Sequence, residues 1–288
     1  MLNRGLILAV GAALSFSIMN IMVKSLSFSM GIGEIVFGRS VIGIIVLLFI
    51  MKEFDIKFSN KDIPALVFRG AVGGMSMFLI FIAISGMHLG DVAILQQLSA
   101  IFVLFLSAVW LKEKIPPKTF LPLLAIGAGT MLLLRPWEYN SFSIYAILAV
   151  FSAFLAALAY ITIHKLFEGG GHNSWEIVFY FLFCSMLIGI AGMAGNYHSP
   201  DTKEMFLLAG IGIVSLLAQA LMTQAYGSAN AVLVSFVLYT GIFFNALWGY
   251  LFFGEIMHFL SVMGGVFIIG GSMYLTMAKK KLSIKRNK

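Results

Sequence analysis

Three basic side chains, Lys24, Arg39 and Arg69, fall within or at the edge of long apolar stretches of the chain. An arginine at the centre of a membrane helix costs about 2.5 to 3.5 kcal/mol on insertion scales, so a lipid-facing position is unfavourable. Such charges normally face protein or a water-filled cavity, where they bind carboxylate or phosphate groups. The sequence therefore predicts that Arg39, with Arg69 or Lys24, neutralises an anionic group on a small molecule.

Structural alternatives exist for both arginines. Arg39 could pair with backbone carbonyls or with Glu34, but Glu34 lies five positions earlier, about 140° round a helix, where a direct pair is poor. Arg69 lies close to the predicted start of its helix and could extend along the helix to the cytoplasmic interface. A binding role is favoured for Arg39, whereas the two interpretations of Arg69 carry equal weight.

Uncharged polar residues also recur on shared helix faces, which should point into protein or water. They are predicted to orient the bound molecule, although a helix-to-helix hydrogen bond is the commoner role for any one of them. The candidates are Asn20, Gln96, Tyr160, Gln219 and Tyr239.

Motifs for enzyme chemistry do not occur in the sequence. There is no Gly-x-x-x-x-Gly-Lys-Ser/Thr phosphate loop and no His-Glu-x-x-His zinc site, and the histidines have no metal-ligand spacing. The single Cys184 offers no thiol pair. We therefore predict no enzyme activity, no cofactor and no metal site.

The elements that position these residues follow from composition. Of the 288 residues, 60% are hydrophobic and 11% are charged, whereas a soluble domain is about 45 to 50% apolar. Apolar runs of about 20 residues recur, and each must be helical in a bilayer because no water can bond its backbone. The predicted fold is all-α, a polytopic membrane protein with helices at 5–26, 31–51, 64–86, 92–111, 119–134, 143–165, 174–195, 205–226, 230–252 and 258–278.

Ten crossings place both termini on one side of the membrane. Most loop Lys and Arg residues fall on that side, whereas Arg135 and Lys203 lie opposite, so the termini are predicted to be cytoplasmic in a plasma membrane. A cleavable signal peptide is disfavoured because the first apolar run continues through Val23. Residues 279–288 form a basic tail that suits an anionic leaflet, and nucleic acid is not an expected partner.

An internal repeat underlies the ten helices. Glu34-Ile35-Val36-Phe37 recurs in the second half of the chain as Glu176-Ile177-Val178-Phe179, at an offset of 142. Further pairs follow in the same order at offsets of 139 to 142: Ile7-Leu8-Ala9-Val10 with Ile147-Leu148-Ala149-Val150, Asp91-Val92-Ala93 with Asn230-Ala231-Val232, Glu113 with Glu255, and Gly129-Thr130-Met131 with Gly271-Ser272-Met273. Residues 1–135 and 143–278 then form two five-helix copies, and an odd number of crossings makes the second copy inverted.

Small residues spaced by four mark the first helix of each copy. They are Ala9, Ala13 and Ser17, and Ala149, Ala153 and Ala157. Small side chains let membrane helices approach closely. We therefore predict helix contacts along both stripes, with scattered lipid-facing alanines as the alternative.

The two copies and their fourth-helix motifs resemble the EamA-type drug/metabolite transporter superfamily over nearly the whole chain. The family's Leu-x-Glu or Gly-Glu signature falls on Leu111-Lys112-Glu113 and on Gly254-Glu255, although the proline common midway along that helix is missing. The segment from Glu34 to Arg39 and Arg69-Gly70 look like members that move polar metabolites. The resemblance implies ten helices, cytoplasmic termini and a central cavity between the halves.

The resulting hypothesis is a secondary transporter that moves a small polar metabolite by alternating access. The cargo is expected to be an amino acid, S-adenosylmethionine or a similar compound, including one that bears a carboxylate or phosphate. The alternatives are a passive channel for small solutes and, less favoured, a lipid-modifying membrane enzyme. Besides lipid and cargo, no partner is predicted, and the oligomeric state does not follow from the sequence.

Overall fold

A computed structural model describes residues 4–59, 61–110, 120–134, 143–168, 172–193, 198–228, 234 and 237–286. These residues form α-helices joined by short connections, and no strand occurs among them. The helices are α1 (Arg4–Leu26), α2 (Ile32–Glu53), α3 (Ile63–Gly86), α4 (Leu89–Gln96), α5 (Leu98–Trp110), α6 (Phe120–Leu134), α7 (Ile144–Glu168), α8 (Ser174–Met193), α9 (Thr202–Ser228), α10 (Thr240–Phe253) and α11 (Phe259–Arg286).

Within the described ranges, six helices are long and apolar enough to cross a membrane, namely α1, α2, α3, α7, α8 and α9. Large apolar side chains also cover the outer surface of the molecule. Leu121 and Phe206, for example, are 76% and 75% exposed. Such a surface is unfavourable in water and suits contact with lipid chains.

Three predicted helices differ from the observed ones. In the described part of the helix predicted at 230–252, a turn lies at Tyr239 and α10 begins only at Thr240. The helix predicted at 92–111 begins earlier, at Leu89, and divides into α4 and α5 at Gln97. The Gln97 N–H donates to the carbonyl of Ile94, three positions back, which tightens the turn and interrupts the helix. The last helix was expected to end at 278 but continues through Arg286, because the basic tail contains good helix formers and no Gly or Pro.

The helices pack in pairs that link the beginning of the chain to its end. Helix α1 packs on α9, α2 on α8, α3 on α7, and α6 on α11. The predicted small-residue stripes lie in these contacts, since the first stripe is at most 3% exposed and the second is fully buried. The expectation of close helix contacts is therefore confirmed.

Glycines bring α2 and α8 into direct backbone contact. A Cβ added at Gly33 would lie 2.5 Å from the carbonyl carbon of Gly192, and one at Gly189 would lie 2.6 Å from the Phe37 nitrogen. The α3–α7 pair is joined differently. Ser76 and Ser152 each donate a hydroxyl hydrogen to the other's backbone carbonyl, at 2.9 and 2.8 Å. These contacts hold α2 against α8 and α3 against α7, and α2 and α3 carry the two arginines.

Candidate functional site

Arg39 lies on the buried face of α2, together with Ile35, Val36 and Gly43. Its side chain has no exposed surface. None of its three guanidinium nitrogens has a hydrogen-bond partner among the described residues. The guanidinium carbon lies over the rings of Phe81 and Phe181, at 5.6 and 5.4 Å from their centroids. Aromatic faces therefore supply its main contacts.

Arg69 approaches the same ring from α3. It is 2% exposed, so it does not extend along the surface to an interface. Its guanidinium carbon lies 4.9 Å from the centroid of Phe181, and Nε and Nη1 have no hydrogen-bond partner among the described residues. The missing side chain of Gly73 leaves room for Nη1. Arg39 and Arg69, which share the Phe181 ring, are called the arginine pair below.

Tyr160 on α7 interacts electrostatically with Arg69 and is half-buried. The structure therefore brings two of the predicted site residues, Arg39 and Arg69, together at Phe181, with Tyr160 near Arg69. The sequence did not identify Phe81 or Phe181, because phenylalanines in apolar helices carry no distinguishing pattern. One signal was present, since Phe181 occupies the position in the second copy that corresponds to Arg39 at the offset of 142.

Lys24 belongs to a separate cluster at the end of α1. Its ammonium group forms an ion pair with Glu255 and donates to the Met87 carbonyl at 2.6 Å. The second carboxylate oxygen of Glu255 accepts the Leu89 N–H at 2.8 Å. We call this set the Lys24–Glu255 contact. It joins α1 to the α10–α11 connection and to the α3–α4 connection.

Asn20, one helical turn before Lys24, joins α1 to α10. Its amide donates to the Asn245 side-chain oxygen at 2.9 Å, and the Trp248 indole donates to Ser17 at 3.1 Å. Both contacts link α1 to α10.

The remaining candidates are distributed over other helices. The Gln96 side-chain oxygen lies 3.5 Å from the Ser152 hydroxyl oxygen on α7. Gln219 is 5% exposed on α9, and its side-chain oxygen has no partner among the described residues, as is also true of the neighbouring Thr223 hydroxyl. Tyr239 is half-buried at the start of α10. Glu113, of the family signature, lies outside the described residues.

The two repeated glutamates, Glu34 and Glu176, each accept a backbone N–H from the other half of the chain. Glu34 accepts N–H groups from Gly31 and His198, and Glu176 accepts the backbone N–H and hydroxyl of Ser59. Both are almost fully buried. Glu34 is thus engaged away from Arg39, in agreement with the poor geometry expected for that pair.

The sequence profile of the EamA-like transporter family matches residues 3–135 and again residues 143–277. The chain belongs to this family. It is 38% identical over 281 residues to the pseudopaline exporter CntI of Pseudomonas aeruginosa, in a match that covers 97% of this chain and 98% of that protein. A riboflavin transporter of Vibrio cholerae is 25% identical over 287 residues, covering 94% and 92%.

A solved crystal structure has the same fold, with a TM-score of 0.68 and 16% identity over 96% of this chain and 99% of the other. As an EamA-like protein, the chain is a multi-pass membrane transporter of small molecules and not an enzyme. The resemblance identified from the motifs is thereby confirmed.

Proposed function

We propose that this EamA-like protein is a secondary transporter that exports a small anionic metabolite by alternating access. The observation that carries the proposal is the arginine pair, two interior cations that share one aromatic ring. Five of their guanidinium nitrogens lack hydrogen-bond partners among the described residues. Buried cations are costly unless they are paired, so an anionic cargo would supply the missing partner.

We further propose that the chain consists of two inverted five-helix copies, 1–135 and 143–278, with ten crossings in all. The packing supports this proposal because it keeps its pattern when the copies are exchanged. The contact of α1 with α9 corresponds to that of α7 with α3, while α2–α8 and α6–α11 each pair equivalent helices. In other inverted-repeat transporters the cargo site lies at the interface of the copies near the bilayer midplane. We propose that the α2–α8 contact, which includes Arg39, forms the corresponding site here.

The proposed location is the plasma membrane, with both termini and the 279–288 tail on the cytoplasmic side. The asymmetry of Lys and Arg residues between the two sets of loops supports this orientation.

The relatives guide the choice of cargo and direction. The exporter of Pseudomonas aeruginosa matches over nearly its full length, which supports export and makes pseudopaline the first cargo to test. The riboflavin transporters are more distant, so the screen should extend to amino acids, S-adenosylmethionine and flavins. Tyr160, Gln96, Gln219, Tyr239 and Asn20 are proposed to orient the cargo, with Lys24 contributing only if its contact with Glu255 opens.

Transport by proteoliposomes tests the proposal. Replacing Arg39 with Gln should lower the initial rate at least about tenfold, because a hydrogen bond to a charged group contributes about 1.5 to 3 kcal/mol. Lys57→Gln is the matched control, since it removes the same charge from a side chain that is 81% exposed. A folded Arg39→Gln protein that transports like the control would refute the assigned role. Accumulation against a gradient separates a carrier from a passive channel.

A further inference from the structure

The arginine pair places two positive charges in one desolvated volume. The guanidinium carbons lie 5.4 and 4.9 Å from the centroid of the same Phe181 ring, and the two residues are 0% and 2% exposed. Like charges raise each other's free energy, and the effect grows as the surroundings become less polar. A single negative charge bound here would therefore leave one of the two cations uncompensated.

The buried carboxylates of the described residues have other partners. Glu34 and Glu176 accept backbone N–H groups near the ends of helices, while Glu255 is paired with Lys24. None of them forms an ion pair with Arg39, whose three nitrogens have no partner in the described part of the chain. Within the described ranges no carboxylate compensates Arg39, so a bound anion is the partner that fits the pair.

The aromatic rings also limit how an anion can approach. Phe81 and Phe181 both lie against the Arg39 guanidinium, and Phe181 lies against that of Arg69. Attraction to the face of an aromatic ring leaves a guanidinium free to donate N–H bonds in its own plane. Each arginine can then hold a carboxylate by two parallel hydrogen bonds.

From this arrangement we infer that the cargo is a dianion whose negative charges contact Arg39 and Arg69 together. Dicarboxylates fit this description, as do phosphate monoesters with two charges on one group. The inference rests on the proposed function, because it concerns the same site. It adds a charge requirement that an anion site with one arginine would not have.

Binding of matched probes to the purified protein tests the inference. The first set is succinate, glutarate and adipate, each against its own monoamide, which has nearly the same shape and one charge fewer. The second set is glycerol phosphate against its methyl diester. In each set the dianion should bind at least about tenfold tighter than its monoanionic match, as measured by the rise in unfolding temperature with ligand concentration.

Arginine variants complete a thermodynamic cycle. Arg69→Gln should reduce the advantage of the dianion over the monoanion to less than threefold, because only one cation remains. The Lys57→Gln control should keep the full advantage. Monodisperse elution and a cooperative unfolding transition check that each variant is folded, and the wild-type series decides the question alone if a variant does not fold.

Three results would overturn the inference: equal binding of dianions and monoanions by the wild type, no stabilisation by any dianion at millimolar concentration, or an unchanged advantage in folded Arg69→Gln. These are distinguishable from failure of the proposed function. If the wild type binds all anions equally and Arg39→Gln weakens all of them, the anion site stands and only the charge requirement falls. If folded Arg39→Gln transports normally, the site itself is wrong.

Discussion

Arg39 and Phe181 are equivalent at the offset of 142 in the proposed repeat, and in the folded protein they lie against each other. Antiparallel packing of equivalent helices brings positions near their centres together. A difference between the copies at such a position therefore places unlike residues side by side. In the proposed repeat, one copy supplies the cation and the other the aromatic ring beside it, and divergence of the copies at this position would build the proposed site.

Gly73 provides a test of how the arginine pair is held. A methyl group there would overlap Nη1 of Arg69 and lie 3.1 Å from a ring carbon of Phe181. Because Nη1 is the free end of a flexible side chain, Gly73→Ala should displace the guanidinium without unfolding the protein. We expect cargo affinity to fall about threefold to tenfold, since part of a charge-assisted interaction is lost. Titration of the purified protein measures this.

Gly127→Ala is the control for that substitution, because a Cβ at Gly127 would meet no atom within 4 Å. Both variants should have unfolding temperatures close to wild type. Unchanged affinity in folded Gly73→Ala would mean that the position of Arg69 does not matter for binding.

The two arginines of the site and Tyr160 could be predicted from the sequence, whereas the two phenylalanines could not. Arg39 and Arg69 stand out because a cation in an apolar segment is expensive. Phe81 and Phe181 do not stand out among 27 phenylalanines that all satisfy an apolar pattern. Lys24 was detected by the same rule as the arginines, but its partner Glu255 is 231 residues away, and single-sequence reasoning cannot connect them.

At the scale of helices, the amphipathic and small-residue patterns predicted which helix faces are buried better than they predicted where each helix begins and ends. The stripes on α1 and α7 are buried as expected, because close approach needs only small side chains at the right spacing. The division at Gln97 was not predicted, because it depends on one tightened hydrogen bond and not on residue type. The apolar run of α11 was expected to end at 278, but the helix continues to Arg286, because helix formation does not require apolar residues.

The Lys24–Glu255 contact is expected to stabilise the junction of α1, α4 and α10. Both side chains are almost fully buried, at 9% and 8% exposed. Lys24→Met alone should lower the free energy of unfolding by about 3 to 5 kcal/mol, because it leaves Glu255 charged and unpaired. Adding Glu255→Gln should recover most of this loss, since Gln can still accept the Leu89 N–H. Thermal unfolding of the single and double variants measures the coupling.

His88→Ala serves as the control at the same end of the molecule. The His88 side chain is 46% exposed, and its Nδ1 lies 3.7 Å from a carboxylate oxygen of Asp91. The Asp91 side chain is 11% exposed, and a pair with one solvent-exposed partner contributes about 0 to 1 kcal/mol. If Lys24→Met costs no more than this control, the contact is not a stabilising element. Full additivity of the two substitutions at Lys24 and Glu255 would lead to the same conclusion.

For the whole molecule, the feature that connects fold to transport is the helix packing, which keeps the same pairs when the two proposed copies are exchanged. A duplicated unit that packs against its inverted copy has two nearly equivalent arrangements, which expose a central site to one side or the other. The proposed mechanism needs this inversion, whereas a channel or an enzyme does not. The orientation of equivalent positions is therefore the most direct test of the architecture.

Lys57 and Ser199 are equivalent at the offset of 142 and lie just beyond the ends of α2 and α8. Both are exposed, so either can carry a reporter cysteine in a Cys184→Ser background. Inverted copies place them on opposite sides of the membrane. A membrane-impermeant thiol reagent applied to intact cells should label Ser199→Cys, whereas Lys57→Cys should react only after permeabilisation. Labelling of both from the outside would contradict the inverted repeat, and the reverse pattern would contradict cytoplasmic termini while leaving the inversion intact.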